Sequence, residues 1–170
     1  MPTHGVAITV PEPHGSALQD ARERVGDPLA RFIPPHVTLL PPTEIDAPSL
    51  AAFEKHLEVV AREHAPFRMT LSGTGTFRPL SPVVFVQVSS GISQCELVET
   101  AVRSGPVERR LEFNYHPHVT IAHNLGESQL DEAFEGLVDF RCTFEVAAFE
   151  LYHQTDDGVW RPLSSFALEG

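Results

Sequence analysis

Two short segments of this chain repeat one pattern: Pro34-Pro35-His36-Val37-Thr38-Leu39-Leu40, and Tyr115-His116-Pro117-His118-Val119-Thr120-Ile121-Ala122-His123. In each, a His and a Thr stand two positions apart in an apolar run entered from proline, which predicts a short strand following a stiff loop. Strand side chains alternate between faces, so His36 and Thr38 share one face and Val37 and Leu39 the other. His118 and Thr120 are separated from Val119 and Ile121 in the same way. Each strand thus has an apolar back for a core and a His/Thr front suited to a polar cleft. Two imidazoles across a cleft can remove one proton and deliver another, since an unperturbed pKa near 6.5 allows one neutral ring and one protonated ring near neutral pH. The threonine hydroxyls add donors for a developing oxyanion. Phosphoryl transfer fits best. A phosphodiester has two non-bridging oxygens to hold while base and acid act on the attacking and leaving oxygens, and neither a nucleophilic residue nor a metal is required.

The flanking elements must present these strands. Gly5 to Val10 reads as a first strand, and Ser16 caps a helix with Leu18, Ala21 and Val25 at helical spacing, stopped by Gly26 and Pro28. A loop from Gly26 to Pro35 leads into the first His/Thr strand, which Pro41-Pro42 ends. Asp46-Ala47-Pro48 opens a longer helix striped by Leu50, Phe53, Leu57, Val60 and Ala61, and Phe67 to Phe77 reads as a strand bulged at Gly73 and Gly75. The order then restarts. Val83 to Val88 is a strand; Ile92, Cys95, Val98 and Val102 mark a helix; a loop from Gly105 to Pro117 leads into the second His/Thr strand. An acidic helix from Glu127 to Asp139 carries Leu130, Phe134, Leu137 and Val138, Phe140 to His153 is extended, and Thr155-Asp156-Asp157-Gly158 turns into a last strand, Val159 to Leu168. Each half reads strand, helix, loop, His/Thr strand, helix, strand. The fold class expected is α+β: a single domain, residues 1–170, of two pseudo-symmetric lobes (about 1–80 and 81–170) of antiparallel sheet backed by helices. Strands can exchange between the lobes, and the two His-x-Thr strands meet at a central cleft.

Composition narrows the partners. Among 170 residues, 12 Lys and Arg face 23 Asp and Glu, a formal net charge of −11. A protein that tracks duplex nucleic acid needs a basic stripe, whereas a small phosphate ester or the end of an RNA asks for less. Cys95 and Cys142 stand singly in apolar segments, as two reduced, buried thiols and not nucleophiles. There is no basic leader, and no apolar run approaches the ~20 residues of a membrane helix. The expectation is a cytoplasmic monomer that engages no membrane.

The paired His-Val-Thr motifs, their spacing and the order of flanking elements resemble the 2H phosphoesterase superfamily, and within it the 2′-5′ RNA ligase/cyclic phosphodiesterase-like members. The likeness covers nearly the whole chain and includes a closing hairpin in Phe149-Glu150-Leu151-Tyr152, Gly158 and Trp160. The resemblance implies that His36 and His118 are the acid/base pair, that Thr38 and Thr120 bind phosphate, and that no metal or other cofactor is used. The substrate it implies is a 2′,3′-cyclic phosphate or related 2′-linked phosphodiester of a small nucleotide or an RNA 3′ end. Which His is base and which acid stays open, because the two copies look alike.

One position departs from the family pattern. Many relatives carry a phosphate-holding Arg three residues after the second Thr, where this chain has His123. Either His123 performs a weaker, pH-dependent version of that task, or another cation does, with Arg31, Arg109 and Arg110 in the loops feeding the motifs as candidates. Phe85, on the face of its strand opposite Val84, Val86 and Val88, can floor the cleft and stack on a base; Tyr115, Tyr152 and Trp160 can do the same. Two other readings stand beside this one. His36, His116, His118 and His123 supply enough imidazoles for a zinc-dependent hydrolase, although the repeated Thr would then go unexplained. The same cleft could also hold nucleotides or RNA ends without catalysis.

Overall fold

The computed structural model describes residues 2–170. In chain order its elements are β1 (Thr3–Thr9), α1 (His14–Arg24), a single 3-10 turn (Pro28–Arg31), β2 (His36–Glu44), α2 (Ala47–Glu63), β3 (Phe67–Thr76) and β4 (Val83–Ser90). They continue with α3 (Ile92–Arg103), β5 (His118–His123), α4 (Glu127–Gly136), β6 (Arg141–Val146), β7 (Ala148–Gln154) and β8 (Trp160–Ala167). The strands form two four-stranded sheets, ordered β2-β1-β7-β8 and β5-β4-β3-β6, antiparallel throughout. The class is α+β, and the sheets share a plan: a His/Thr strand on one edge, its hairpin-distant partner β1 or β4 next, then a strand from the other half of the sequence. β3 lies between β4 and β6, and β7 lies between β1 and β8. Sheet membership therefore crosses the midpoint of the chain. Among the described residues no helix is long and apolar enough to cross a membrane.

Register makes the symmetry concrete. His36 lies opposite Thr9 and Thr38 opposite Ala7, while His118 lies opposite Gln87 and Thr120 opposite Phe85. Ala7 and Phe85 thus occupy matching positions. Helices pack across the pseudo-dyad: α1 lies against β5 and α3 against β2. The backs of both motif strands enter one core, where Val37, Leu39, Val119 and Ile121 are fully buried with Leu18, Phe53, Leu57, Val98 and Leu130.

Local structure departs from the sequence expectation at four points. Helix α1 begins at His14, not at a Ser16 cap, and it is the Ser16 amide that donates to the Glu12 carboxylate at 3.1 Å. Strand β2 runs through Pro41-Pro42 to Glu44; it is an edge strand, and its ladder with β1 shifts register between His4 and Val6, where missing N–H donors are tolerated. The stretch from Phe140 to His153 is two strands in different sheets, broken at Ala147. Helix α4 stops at Gly136, which leaves Val138 exposed. Elsewhere the local signals hold. The Asp46 carboxylate accepts the Ser49 amide at 2.8 Å to open α2. A register shift between Leu71 and Thr74, with Gly73 at φ 72°, marks the bulge in β3.

Candidate active site

Between the two motif strands lies a cleft of about 990 Å³, lined by His36, Thr38, His118, Thr120, His123, Arg22 and Trp160 among others. Alternation in the strands explains the lining. Val37 and Val119 are fully buried, whereas the His and Thr on either side of each are only partly covered. The proline-rich approaches fix the rings. His36 Nδ1–H donates to the Pro34 carbonyl at 2.8 Å, and His118 Nδ1–H donates to the His116 carbonyl at 2.6 Å. A carbonyl only accepts, so in each neutral ring the proton sits on Nδ1 and Nε2 is left as the nitrogen for a ligand.

The rings are seated differently. Trp160 stands over His36, ring centres 4.1 Å apart, and stacks in turn on Tyr152 at 3.5 Å. The Trp160 amide donates to the Phe32 carbonyl at 3.0 Å, tying the start of β8 to the loop before β2. Burial pushes the His36 pKa down to about 4, a fall that the bond to the Pro34 carbonyl opposes and that the nearby Arg22 and His118 charges assist. His118 rests against an aromatic floor, 5.1 Å from both Phe77 and Phe85. Burial lowers its pKa as well, with His116 adding a smaller effect and the backbone bond opposing both.

The sequence candidates distribute as follows. His36, Thr38, His118, Thr120 and His123 converge on the cleft, as do His116, Arg109, Arg110 and Tyr115. The Tyr115 hydroxyl is occupied, donating to the Thr38 carbonyl at 2.6 Å with the Cys95 thiol 3.3 Å away. Burial and the Cys95 neighbour raise the Tyr115 pKa, so the group is a fixed neutral donor. Phe85 is buried beneath the lining, under His118. Arg31 is exposed on the 3-10 turn, away from the cleft lining. Sequence patterning does not point to two further residues of the site, Arg22 and Asp27. Both are buried, and Arg22 Nε donates to Asp27 at 2.8 Å. The pattern R-x-x-x-x-D across a helix end is too common to have singled them out.

Electrostatically the cleft differs from the rest of the surface. Three arginines (Arg22, Arg109 and Arg110) and one carboxylate, Glu112, line it, with Asp27 paired to Arg22 behind the lining, so cations outnumber carboxylates here on a chain of charge −11. Leu29, Ile33, Leu80 and Phe113 supply an apolar rim. Among the described residues, no group of three or more His, Cys, Asp or Glu is arranged to hold a metal ion. His116, His118, His123 and His36 share the cleft without forming the zinc set considered from sequence.

Paired His/Thr edge strands facing each other between two pseudo-symmetric antiparallel sheets define a two-histidine phosphoesterase architecture. The chain belongs to the 2′-5′ RNA ligase superfamily, whose family model matches residues 10–158. It is 29% identical over 167 residues to a candidate phosphoesterase of Halalkalibacterium halodurans, covering 97% of this chain and 96% of the relative. Its fold matches E. coli LigT in the apo form with a TM-score of 0.70 at 20% identity, covering 99% of each chain. It also matches the TT0787 protein of Thermus thermophilus with a TM-score of 0.67 at 25% identity, covering 100% of this chain and 99% of that one.

Proposed function

We propose that this chain is a metal-independent phosphodiesterase that opens a 2′,3′-cyclic phosphate, or a related 2′-linked phosphodiester, of a nucleotide or RNA end. The observation that carries the reading is the matched fixing of His36 and His118, each holding Nδ1–H on the carbonyl two residues upstream and keeping Nε2 for the cleft. E. coli LigT, which shares the fold, has been crystallised with 3′-AMP and with phosphate, and a ligand of that kind suits a cleft with an apolar rim and cationic walls.

In the proposed reaction the Thr38 and Thr120 hydroxyls hold the non-bridging oxygens. His36 Nε2 takes a proton from water as its oxygen attacks phosphorus; the bond from phosphorus to the 2′- or 3′-oxygen breaks, and that oxygen takes the proton of His118 Nε2. A nucleoside monophosphate results. We assign the base to His36 because it is covered by Trp160 and lies near the Arg22 charge, both of which favour its neutral ring. Burial of the site also strengthens each hydroxyl–oxyanion contact as charge develops.

The test is hydrolysis of the four nucleoside 2′,3′-cyclic monophosphates in the presence of EDTA, with His36→Ala, His118→Ala and the double variant as comparators. Each single variant should lose at least the roughly 10²-fold typical of a general acid or base, and the double variant should lose little more. Equal turnover by parent and double variant would overturn the proposal. Nucleotide binding without turnover by the parent would favour a binding module.

A further inference from the structure

We propose that Arg22, on α1, is the phosphate-holding cation of this cleft, set in place by Asp27, and that it does the work for which His123 lacks a permanent charge. The inference rests on the phosphodiesterase reading for its substrate but concerns anion binding, which can be measured without turnover.

Helix α1 packs against β5, so the end of α1 meets the end of the second motif strand. The Asp27 carboxylate joins them. Its Oδ2 accepts Arg22 Nε at 2.8 Å and the backbone N–H of His123 at 3.1 Å, while Oδ1 accepts the Leu29 amide at 2.9 Å. One buried carboxylate therefore fixes a guanidinium, the turn after α1 and the last residue of β5. The Arg22 side chain is 7% exposed and that of Asp27 is fully buried, yet Arg22 lines the same cleft as His36, Thr38, His118, Thr120 and His123. Among the described residues only Nε is committed to a partner, and neither Nη group is a buried atom lacking one. Both Nη groups are left to face the cleft.

Chemistry favours this Arg over the others. A guanidinium is permanently charged and presents paired donors to phosphate oxygens, and one held rigidly through Nε loses little freedom on binding. Arg109 and Arg110 are exposed on the loop before β5, and Arg31 is exposed outside the lining. Arg22 also acts on the proposed base, since its charge opposes protonation of His36. The charged or titratable groups acting on His36 are Arg22 from α1 and His118 from β5.

The test titrates the parent protein with inorganic phosphate, following the arginine Nε–H resonances and the histidine ring resonances by NMR. The Arg22 signal is assigned by its loss in Arg22→Lys, and phosphate affinity is measured for the parent, Arg22→Lys, Arg22→Gln and Arg110→Gln. The Arg22 signal should move over the same concentration range as the His36 and His118 signals. Arg22→Gln should weaken phosphate binding roughly tenfold or more, Arg22→Lys by less, and Arg110→Gln least. The His36 titration midpoint should rise in Arg22→Gln, which a merely structural role does not predict. Folded Arg22→Lys and Arg22→Gln proteins that bind phosphate within twofold of the parent would overturn the inference. So would an Arg22 signal that stays fixed while the histidines respond, a readout that needs no folded variant beyond the assignment, and so would a parent that binds no phosphate. Phosphate bound through Arg22 without turnover of cyclic phosphates refutes the phosphodiesterase reading alone; turnover with Arg22 dispensable refutes this inference alone.

Discussion

The Tyr115 hydroxyl donates to the Thr38 carbonyl at 2.6 Å, so a residue in the approach to one motif strand is bonded to the backbone of the other. This bond spans the pseudo-dyad and ties the approach to one His/Thr front to the backbone of the other. Tyr115→Phe keeps the ring and leaves a carbonyl without its partner, at a cost of about 1–2 kcal/mol. The denaturant midpoint should fall with an unchanged slope, and turnover should fall with it. An unaltered midpoint would mean that water replaces the hydroxyl and that the strands are held apart by packing alone.

With His36 as the proposed base and His118 as the proposed acid, the pH profile follows from which proton each ring must lack or hold. Protonated His36 cannot accept a proton, so kcat/KM should fall as pH drops through its depressed pKa of about 4. Neutral His118 has no proton to give, so kcat/KM should also fall as pH rises through its pKa, which burial holds below 6.5. The maximum is therefore expected in mildly acidic solution. A bound anionic phosphodiester favours the imidazolium, so the alkaline limb of kcat should lie higher than that of kcat/KM. A plateau that extends unchanged into alkaline pH would contradict the assignment of His118 as acid.

Much of this arrangement is legible in the sequence because it is local. Proline entry, apolar alternation and the His-x-Thr spacing define β2 and β5, and helical periodicity defines α2 and α3. What sequence periodicity does not carry is which sheet a strand joins. Nothing local distinguishes β3, which pairs with β4 and β6, from a strand that stays with β1. Arg22 escaped for the same reason. On α1 alone it reads as one more surface charge, and the role proposed for it depends on α1 meeting β5, a contact between residues remote in sequence. Tyr115 shows both sides: an aromatic ring beside a motif is legible as a cleft-lining group, whereas the bond of its hydroxyl to the Thr38 carbonyl is not.

Trp160 should control the protonation of His36 through cover alone. Its ring lies 4.1 Å from the imidazole and is itself stacked on Tyr152. Trp160→Ala admits water, so the His36 pKa should rise toward its ordinary 6.5 and the acid limb of the rate profile should move up with it. Trp160→Phe keeps an aromatic cover and removes an indole N–H that is buried without a partner, so it should preserve the profile at little cost in stability. The check is the histidine NMR titration of all three proteins. Identical His36 midpoints in parent and Trp160→Ala would show that solvent exclusion by Trp160 is not what keeps the ring neutral.

The floor beneath His118 has a counterpart control in Gly75. Gly75 pairs with Phe85 across the β3–β4 ladder, and a Cβ there would come within 2.6 Å of the Phe85 ring. That ring has little room to yield, with Phe77 at 4.5 Å and His118 at 5.1 Å. Gly75→Ala should therefore cost about 1–3 kcal/mol by overpacking and press Phe85 toward the imidazole, lowering kcat more than it raises KM. Phe85→Leu makes space for the new methyl but withdraws the aromatic surface that seats His118. The double variant should therefore recover stability relative to Gly75→Ala while kcat stays low. Unfolding midpoints and steady-state kinetics on the three proteins separate the two effects. If kcat returned together with stability, the ring would serve only as filler, and His118 would be positioned by its bond to the His116 carbonyl alone.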